Sequence, residues 1–263
     1  MNYRKIGFAL MIFSLLPSPF VNAGESVDKG LEISKIAKEK DLGWTDSQTE
    51  LEMILRNEHG ETSVRQMRLK SIEVANDGDK SLTVFDSPRD VKGTAFLSFS
   101  HLEGNDDQWL YLPALKRVKR ISSRNKSGSF MGSEFSFEDL TSFEVDKYNY
   151  NYLNDETFDS EDCWVIEQFP LDKYSGYKRR VVWIDKSEYR IRKTDFYDRK
   201  NTLLKTLTFS DFQLYLEKHW RAQKMDMINH QSGKSTILNY TTFKIKQGLD
   251  DKDFNKNALK RAR

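Results

Sequence analysis

Along most of its length the chain alternates. Leu51, Met53 and Leu55 stand between polar neighbours, and Met67 and Leu69 do the same among Gln66, Arg68 and Lys70. Period-two spacing of this kind marks strands with one buried face. Leu82, Val84 and Phe85 follow, and strand-like runs continue at 94–101, 107–112, 116–121, 143–153, 163–169, 178–185, 189–197, 202–216, 219–230 and 235–246. Turn residues separate many of them, as in Asn57-Glu58-His59-Gly60, Asn76-Asp77-Gly78-Asp79, Glu103-Gly104-Asn105-Asp106, Asp198 to Asn201 and Gln231-Ser232-Gly233. A helical period is legible over 25–40, where Val27, Leu31, Ile33, Ile36 and Ala37 form an imperfect stripe that Gly43 stops. The segment 122–142 interrupts the strands with Gly, Ser and one helical turn near Glu134 to Leu140, and 251–263 reads as a last short helix.

Strands do not alternate with helices, which excludes a doubly wound parallel sheet. The pattern predicts an α+β fold in one domain, a long antiparallel meander of about ten or eleven strands. A sheet that wide must curl, because strand twist accumulates across it. Its concave face is then apolar and needs a cover. The N-terminal helix, the 122–142 segment and the tail are available, and covers so small are expected to leave a cavity fit for an apolar ligand.

The first residues read differently. Arg4 and Lys5 precede the apolar run Ile6 to Leu16, Pro17 and Pro19 break it, and Val21-Asn22-Ala23 supplies small residues for cleavage. This order is that of an export signal over 1–23, and the run is too short to span a bilayer. Residues 24–263 are then expected to form the single exported domain, soluble in the periplasm or outside the cell. The residue after the predicted site is Gly24, so no lipid-anchored cysteine is expected. Composition changes with this reading. The whole chain has 42 Lys+Arg against 40 Asp+Glu, a net +2. Removing Arg4 and Lys5 leaves 40 against 40, a neutral mature chain. A mean hydropathy of −0.70 excludes a helical membrane bundle, and 13% aromatic residues argue against disorder. One cysteine, Cys163, excludes a disulfide framework, and its setting Cys163-Trp164-Val165-Ile166 predicts a buried, unreactive thiol.

Catalytic patterns do not assemble. His59, His101, His219 and His230 lack metal-ligand spacing and read as solvated or strand-edge residues. Gly233-Lys234-Ser235 begins neither a nucleophile elbow, since Ile237 replaces the second glycine, nor a phosphate loop, since Ile228 replaces the first. Asp106-Asp107 and Glu138-Asp139 are sequence neighbours, which on a strand point to opposite faces. No cofactor is expected. The strongest charge feature is Lys116 to Lys126, where Lys116, Arg117, Lys119, Arg120, Arg124 and Lys126 stand without one acid. It reads either as a solvated edge strand or as a docking face for an acidic protein or lipid phosphates. Nucleic acid fits poorly with a neutral exported chain. Beside it, Trp109 and Tyr111 on one strand and Phe130, Met131, Phe135, Phe137 and Leu140 in the interrupting segment read either as ordinary core or as the lid of an adaptable apolar pocket.

Four blocks carry a family resemblance: Asp107 to Ile121, Ser127 to Leu140, Tyr197 to Leu207 and Trp220 to Thr236. Together they resemble the LolA-like outer-membrane lipoprotein-sorting family, in the branch found with RND-superfamily (MMPL-type) exporters. The resemblance extends over about 30–255. It implies a strongly curved, incomplete antiparallel β-barrel with helices over its concave face, acting as a periplasmic carrier. The family's W-x-Y-x-P block corresponds to Trp109, Tyr111 and Pro113, and its G-S-[DE]-F block to Gly132, Ser133, Glu134 and Phe135. The expected partners are lipid or lipoprotein acyl chains and an inner-membrane RND-type exporter, for a monomeric carrier that is not an enzyme. The alternatives are an exporter adaptor without cargo of its own and, more remotely, a lipid esterase.

Overall fold

The computed structural model describes residues 23–261. The export-signal expectation therefore falls almost wholly outside the described residues. The first helix, α1 (Ala23–Asp41), occupies the stretch where the apolar stripe predicts it. It ends ahead of Gly43, whose φ of +96° lies where glycine is favoured.

Among the described residues thirteen strands follow: β1 (Asp46–Arg56), β2 (Thr62–Ile72), β3 (Lys80–Ser87), β4 (Ala95–Phe99), β5 (Asp107–Leu112), β6 (Arg117–Ile121), β7 (Tyr148–Phe158), β8 (Glu161–Pro170), β9 (Tyr177–Asp185), β10 (Ile191–Asp198), β11 (Leu203–Tyr215), β12 (His219–Asn229) and β13 (Ser235–Ile245). This corrects the expected ten or eleven. Each alternating run forms its own strand, and none merges with a neighbour or is lost to a loop. All belong to one antiparallel sheet in the order β6-β5-β4-β3-β2-β1-β13-β12-β11-β10-β9-β8-β7. The sheet does not close; β6 and β7 are its two edges. The chain between them, 122–147, must cross from one edge to the other, and it does so over the concave face.

Register places the apolar rows of neighbouring strands side by side. Leu51 faces Met67, which in turn faces Phe85. Met53 faces Leu238, which faces Met225. Leu207 faces Met227 across β11 and β12. With Phe96, Leu110, Phe130 and Phe135 these form the inner core. Register shifts at Glu50/Leu51, Gln66/Met67 and Phe196/Tyr197 are bulges that sharpen the local bend.

The convex face is not bare. Leu82, Val84, Leu97 and Trp109, the outward partners of the inner row, pack against Phe254 and Leu259. Leu259 belongs to α2 (Lys256–Arg261). The tail therefore covers the outside of the sheet, not the concave face where the sequence reading placed it. The reason is alternation: β3, β4 and β5 are apolar on both faces, so their outer face also needs a cover. A second outer cluster joins Cys163, Val165, Val181 and Trp183. Cys163 is a free, buried thiol, and burial pushes its pKa up.

Edge β7 is covered by α1. Ser26 donates to the Tyr152 carbonyl at 2.7 Å, and a Cβ on Gly30 would lie 3.0 Å from the Tyr152 nitrogen. The glycine permits the close approach of helix and strand that hides the open edge. Ile33 of α1 reaches Tyr150, Ile166, Val182 and Ile184 on the inner face.

Candidate apolar-ligand site

Between the concave face, α1 and the crossing segment lies a cavity of about 790 Å³. The sheet supplies its apolar wall through Leu69, Phe96, Leu207, Phe209, Leu238 and Tyr240. Ala37 of α1 and Leu140 of the crossing segment face them. The α1 end is tied to the β11–β12 hairpin at the mouth: the Lys218 ammonium donates to the Leu42 carbonyl at 2.7 Å, and Arg221 pairs with Asp41 at 2.5 Å.

The predicted lid residues divide. Phe135 and Leu140 line the cavity. Phe130 packs beneath it, its ring 5.1 Å from Phe96 and 5.8 Å from both Phe85 and Phe137. Met131 and Phe137 are half-buried against the same cluster. Trp109 and Tyr111 do not reach the cavity. On β5 the inward positions are Gln108 and Leu110, so Trp109 and Tyr111 point outward to the convex cluster, with Lys256 over the Trp109 ring at 4.6 Å.

A buried ion pair fastens the crossing segment, and the sequence reading passed over it. Asp139 lies 2.6 Å from the Lys205 ammonium of β11, with only 5% and 4% of their side chains exposed. Lys205 also donates to the Glu134 carbonyl at 2.8 Å. The Ser136 amide and hydroxyl each donate to Asp139 at 2.7 Å, and the Tyr177 hydroxyl does so at 2.7 Å. Burial alone would raise the Asp139 pKa; Lys205 and the Ser136 donors outweigh it and hold the carboxyl below its usual range. Burial and Asp139 push the Tyr177 hydroxyl well above its usual value. Next to the latch, Glu138 accepts from the Ser175 hydroxyl at 2.9 Å and the Gly176 amide at 2.8 Å. Glu138 and Asp139 therefore do not oppose each other across a strand; they sit in one helical turn, Phe137–Leu140, capped by Ser136. A lysine in the inward register of β11, two residues before Leu207, was the legible signal.

One inward row breaks the apolar pattern. Ser47 faces Ser71, Ser71 faces Ser81, Ser81 faces Ser98, and Ser98 faces Gln108. Five strands thus place hydroxyls or an amide on the concave face near the β2–β3 and β4–β5 turns; Ser47, Ser71 and Ser81 line the cavity, while the Gln108 amide donates to the Phe137 carbonyl at 2.8 Å.

The basic stretch lies on edge strand β6 and beyond it. Lys116, Arg117 and Lys119 are exposed, Arg120 pairs with Asp107, Arg124 sits 5.8 Å from the Tyr174 ring, and Lys126 pairs with Asp172 at 2.5 Å. The edge reading accounts for this placement. Among the histidines, His219 is buried, contrary to the sequence reading, and burial lowers its pKa. No cluster of three or more His, Cys, Asp or Glu that could hold a metal exists among the described residues. No described helix is long and apolar enough to cross a membrane.

The family model that matches the chain, over residues 77–261, is described only as that of an uncharacterised protein. No curated protein matches. Among solved structures, one described as an outer-membrane lipoprotein-sorting protein domain from Vibrio parahaemolyticus is 61% identical, with a TM-score of 0.88 over 89% of this chain and all of that one. A DUF1329 family protein from Desulfovibrio piger is 32% identical, with a TM-score of 0.84 over 89% of this chain and 99% of that one. A LolA superfamily protein from Nitrosomonas europaea shares the fold at 22% identity, with a TM-score of 0.67 over 90% of this chain and 99% of that one.

Proposed function

The chain belongs to the DUF1329 family of LolA-like, outer-membrane lipoprotein-sorting proteins, and from that premise we propose that it is a periplasmic carrier of acyl chains. One observation supports this above the others: the cavity of about 790 Å³ under α1 and the crossing segment. Its size falls within the range of about 300–1,000 Å³ seen for small-molecule sites. Its wall is the apolar row of a sheet, so an acyl chain meets contacts along its length without needing specific polar partners. Burial of each methylene contributes about 0.8 kcal/mol, enough to hold one chain firmly. The carrier acts by binding and release; the cargo enters at the mouth between α1 and the β11–β12 hairpin. Its delivery route, including an RND-type exporter as donor, belongs to the same proposal.

Ala37→Trp tests the reading. The indole would occupy cavity space from the half-buried face of α1 and leave the inner core of the sheet in place. Native mass spectrometry of gently purified protein is expected to show acyl-bearing cargo on the wild type and markedly less on Ala37→Trp, with unchanged far-UV circular dichroism. Equal loading of the two proteins, or a wild type that never carries cargo, would overturn the proposal.

A further inference from the structure

The polar row is out of place in a wall built for acyl chains. Inward positions of the first strands grade along the concave face: Leu51, Met67 and Phe85 in the buried core, then Thr49, Leu69 and Thr83, then Ser47, Ser71 and Ser81. The last three line the cavity, and no hydrogen bond joins their hydroxyls to any described residue. Asp79, just before β3, continues the inward register of Ser81, Thr83 and Phe85 and lines the same end.

Its backbone is held firmly. The Asp79 carbonyl accepts from the Ser100 amide at 2.9 Å, and its amide donates to the Ser142 hydroxyl at 3.3 Å. A Cβ on the preceding Gly78 would come within 2.6 Å of the Ser100 backbone, so only glycine lets the turn approach this closely. The Asp79 carboxyl itself makes no hydrogen bond or ion pair with any described residue. The neighbouring charges are Lys38, Glu144, Glu73 and Asp41. Lys38 is engaged by Glu144 at 3.3 Å and by the Phe143 carbonyl at 2.9 Å.

A rigidly placed carboxyl and three free hydroxyls facing a cavity lack hydrogen-bond partners, and a ligand is the natural source of them. Of the charges that act on Asp79, Lys38 is the one cation, against the acids Glu144, Glu73 and Asp41. We propose that Asp79, with Ser47, Ser71 and Ser81, forms a head-group subsite that selects apolar chains ending in an ammonium group. This deepens the carrier reading and rests on it. The chain lies along the apolar wall and the ammonium donates to Asp79 and the serines. Burial raises the Asp79 pKa to about 7, with Lys38 opposing and Glu144, Glu73 and Asp41 adding to the rise. A raised carboxyl is charged only above that value, so ammonium binding weakens as the pH falls through it.

The test is isothermal titration of the full exported chain with dodecylamine, dodecanol and dodecanoate, the ionic chains below their micelle concentrations and the alcohol below its solubility limit, at pH 8.5 and pH 6. At pH 8.5 the amine is expected to bind at least about tenfold more tightly than the alcohol, as one charge-assisted hydrogen bond implies, and the carboxylate more weakly than either. Asp79→Asn is expected to erase the amine's advantage over dodecanol, and measurable dodecanol binding by the variant reports an intact cavity. The advantage is expected to shrink at pH 6 in the wild type only. Dodecanol binding without an amine preference, or a preference that survives in Asp79→Asn, overturns the subsite and leaves the carrier reading standing. Failure of all three chains to bind overturns both.

Discussion

The latch under the crossing segment gives the sharpest quantitative expectation. In Lys205→Met the alkyl stem is kept and the ammonium lost, which leaves Asp139 buried without its counter-charge. Removing one partner of a buried pair costs about 3–5 kcal/mol. Asp139 keeps three donors, from the Ser136 amide, the Ser136 hydroxyl and the Tyr177 hydroxyl. The low end, about 3 kcal/mol at pH 8, is therefore expected. The dependence on pH is distinctive. In the wild type the folded Asp139 pKa is depressed, so its contribution is present above the unfolded value of about 3.9 and is lost as the pH falls through the folded one. In Lys205→Met burial is no longer outweighed and the folded pKa rises. A raised carboxyl destabilises at high pH, and that penalty fades as the pH falls toward about 4. The difference between the two proteins should thus shrink from pH 8 to pH 4.5. Urea unfolding followed by tryptophan fluorescence at pH 8, 6 and 4.5 measures it, and hydrogen exchange locates it. The amides of Phe130 and Ser133, bonded to the carbonyls of Phe135 and Phe130, should lose protection first. A loss below about 1 kcal/mol at pH 8, or one that does not change with pH, would refute the view that this pair holds the segment down.

Two further expectations concern the outer face. Leu259→Ala removes a fully buried side chain from the convex cluster and should cost about 2–5 kcal/mol in urea unfolding, yet leave acyl cargo on the protein, because that cluster lies on the opposite face of the sheet from the cavity. Cys163, buried and raised in pKa, should stay unmodified by a thiol reagent at pH 8 in native buffer and react stoichiometrically in urea; rapid native labelling would contradict its placement.

Much of the architecture was legible because alternation is a local signal. The runs around Met53, Met67 and Phe85 announce strands whatever surrounds them, and turn residues such as Asn201 and Gly233 take the positive φ that the hairpins require, +60° and +70°. The site was legible in part. The interrupting segment left ordinary core and lid open for Phe135 and Leu140, which line the cavity, whereas Trp109 and Tyr111 face the other side of the sheet. The sequence Trp109-Leu110-Tyr111 shows bulk on both faces and does not say which face is concave. Lys205 and Asp139, sixty-six residues apart, become partners only when β11 passes under the crossing segment. Asp79 looked like one of several turn acids, and its inward register follows from the strand that begins one residue later.

The sequence alone determined the element types, the single antiparallel sheet and its need to curl, since these rest on period, turn chemistry and twist. The tertiary structure alone decided which face became the cavity, where the tail packed, and which charges were buried together. Those depend on the order β1–β13 at the centre of the sheet and on a crossing segment that must travel between its edges. Contacts between residues far apart in the chain carry no local pattern, so only the assembled fold can place an unpaired carboxyl and a row of serines beside an apolar wall.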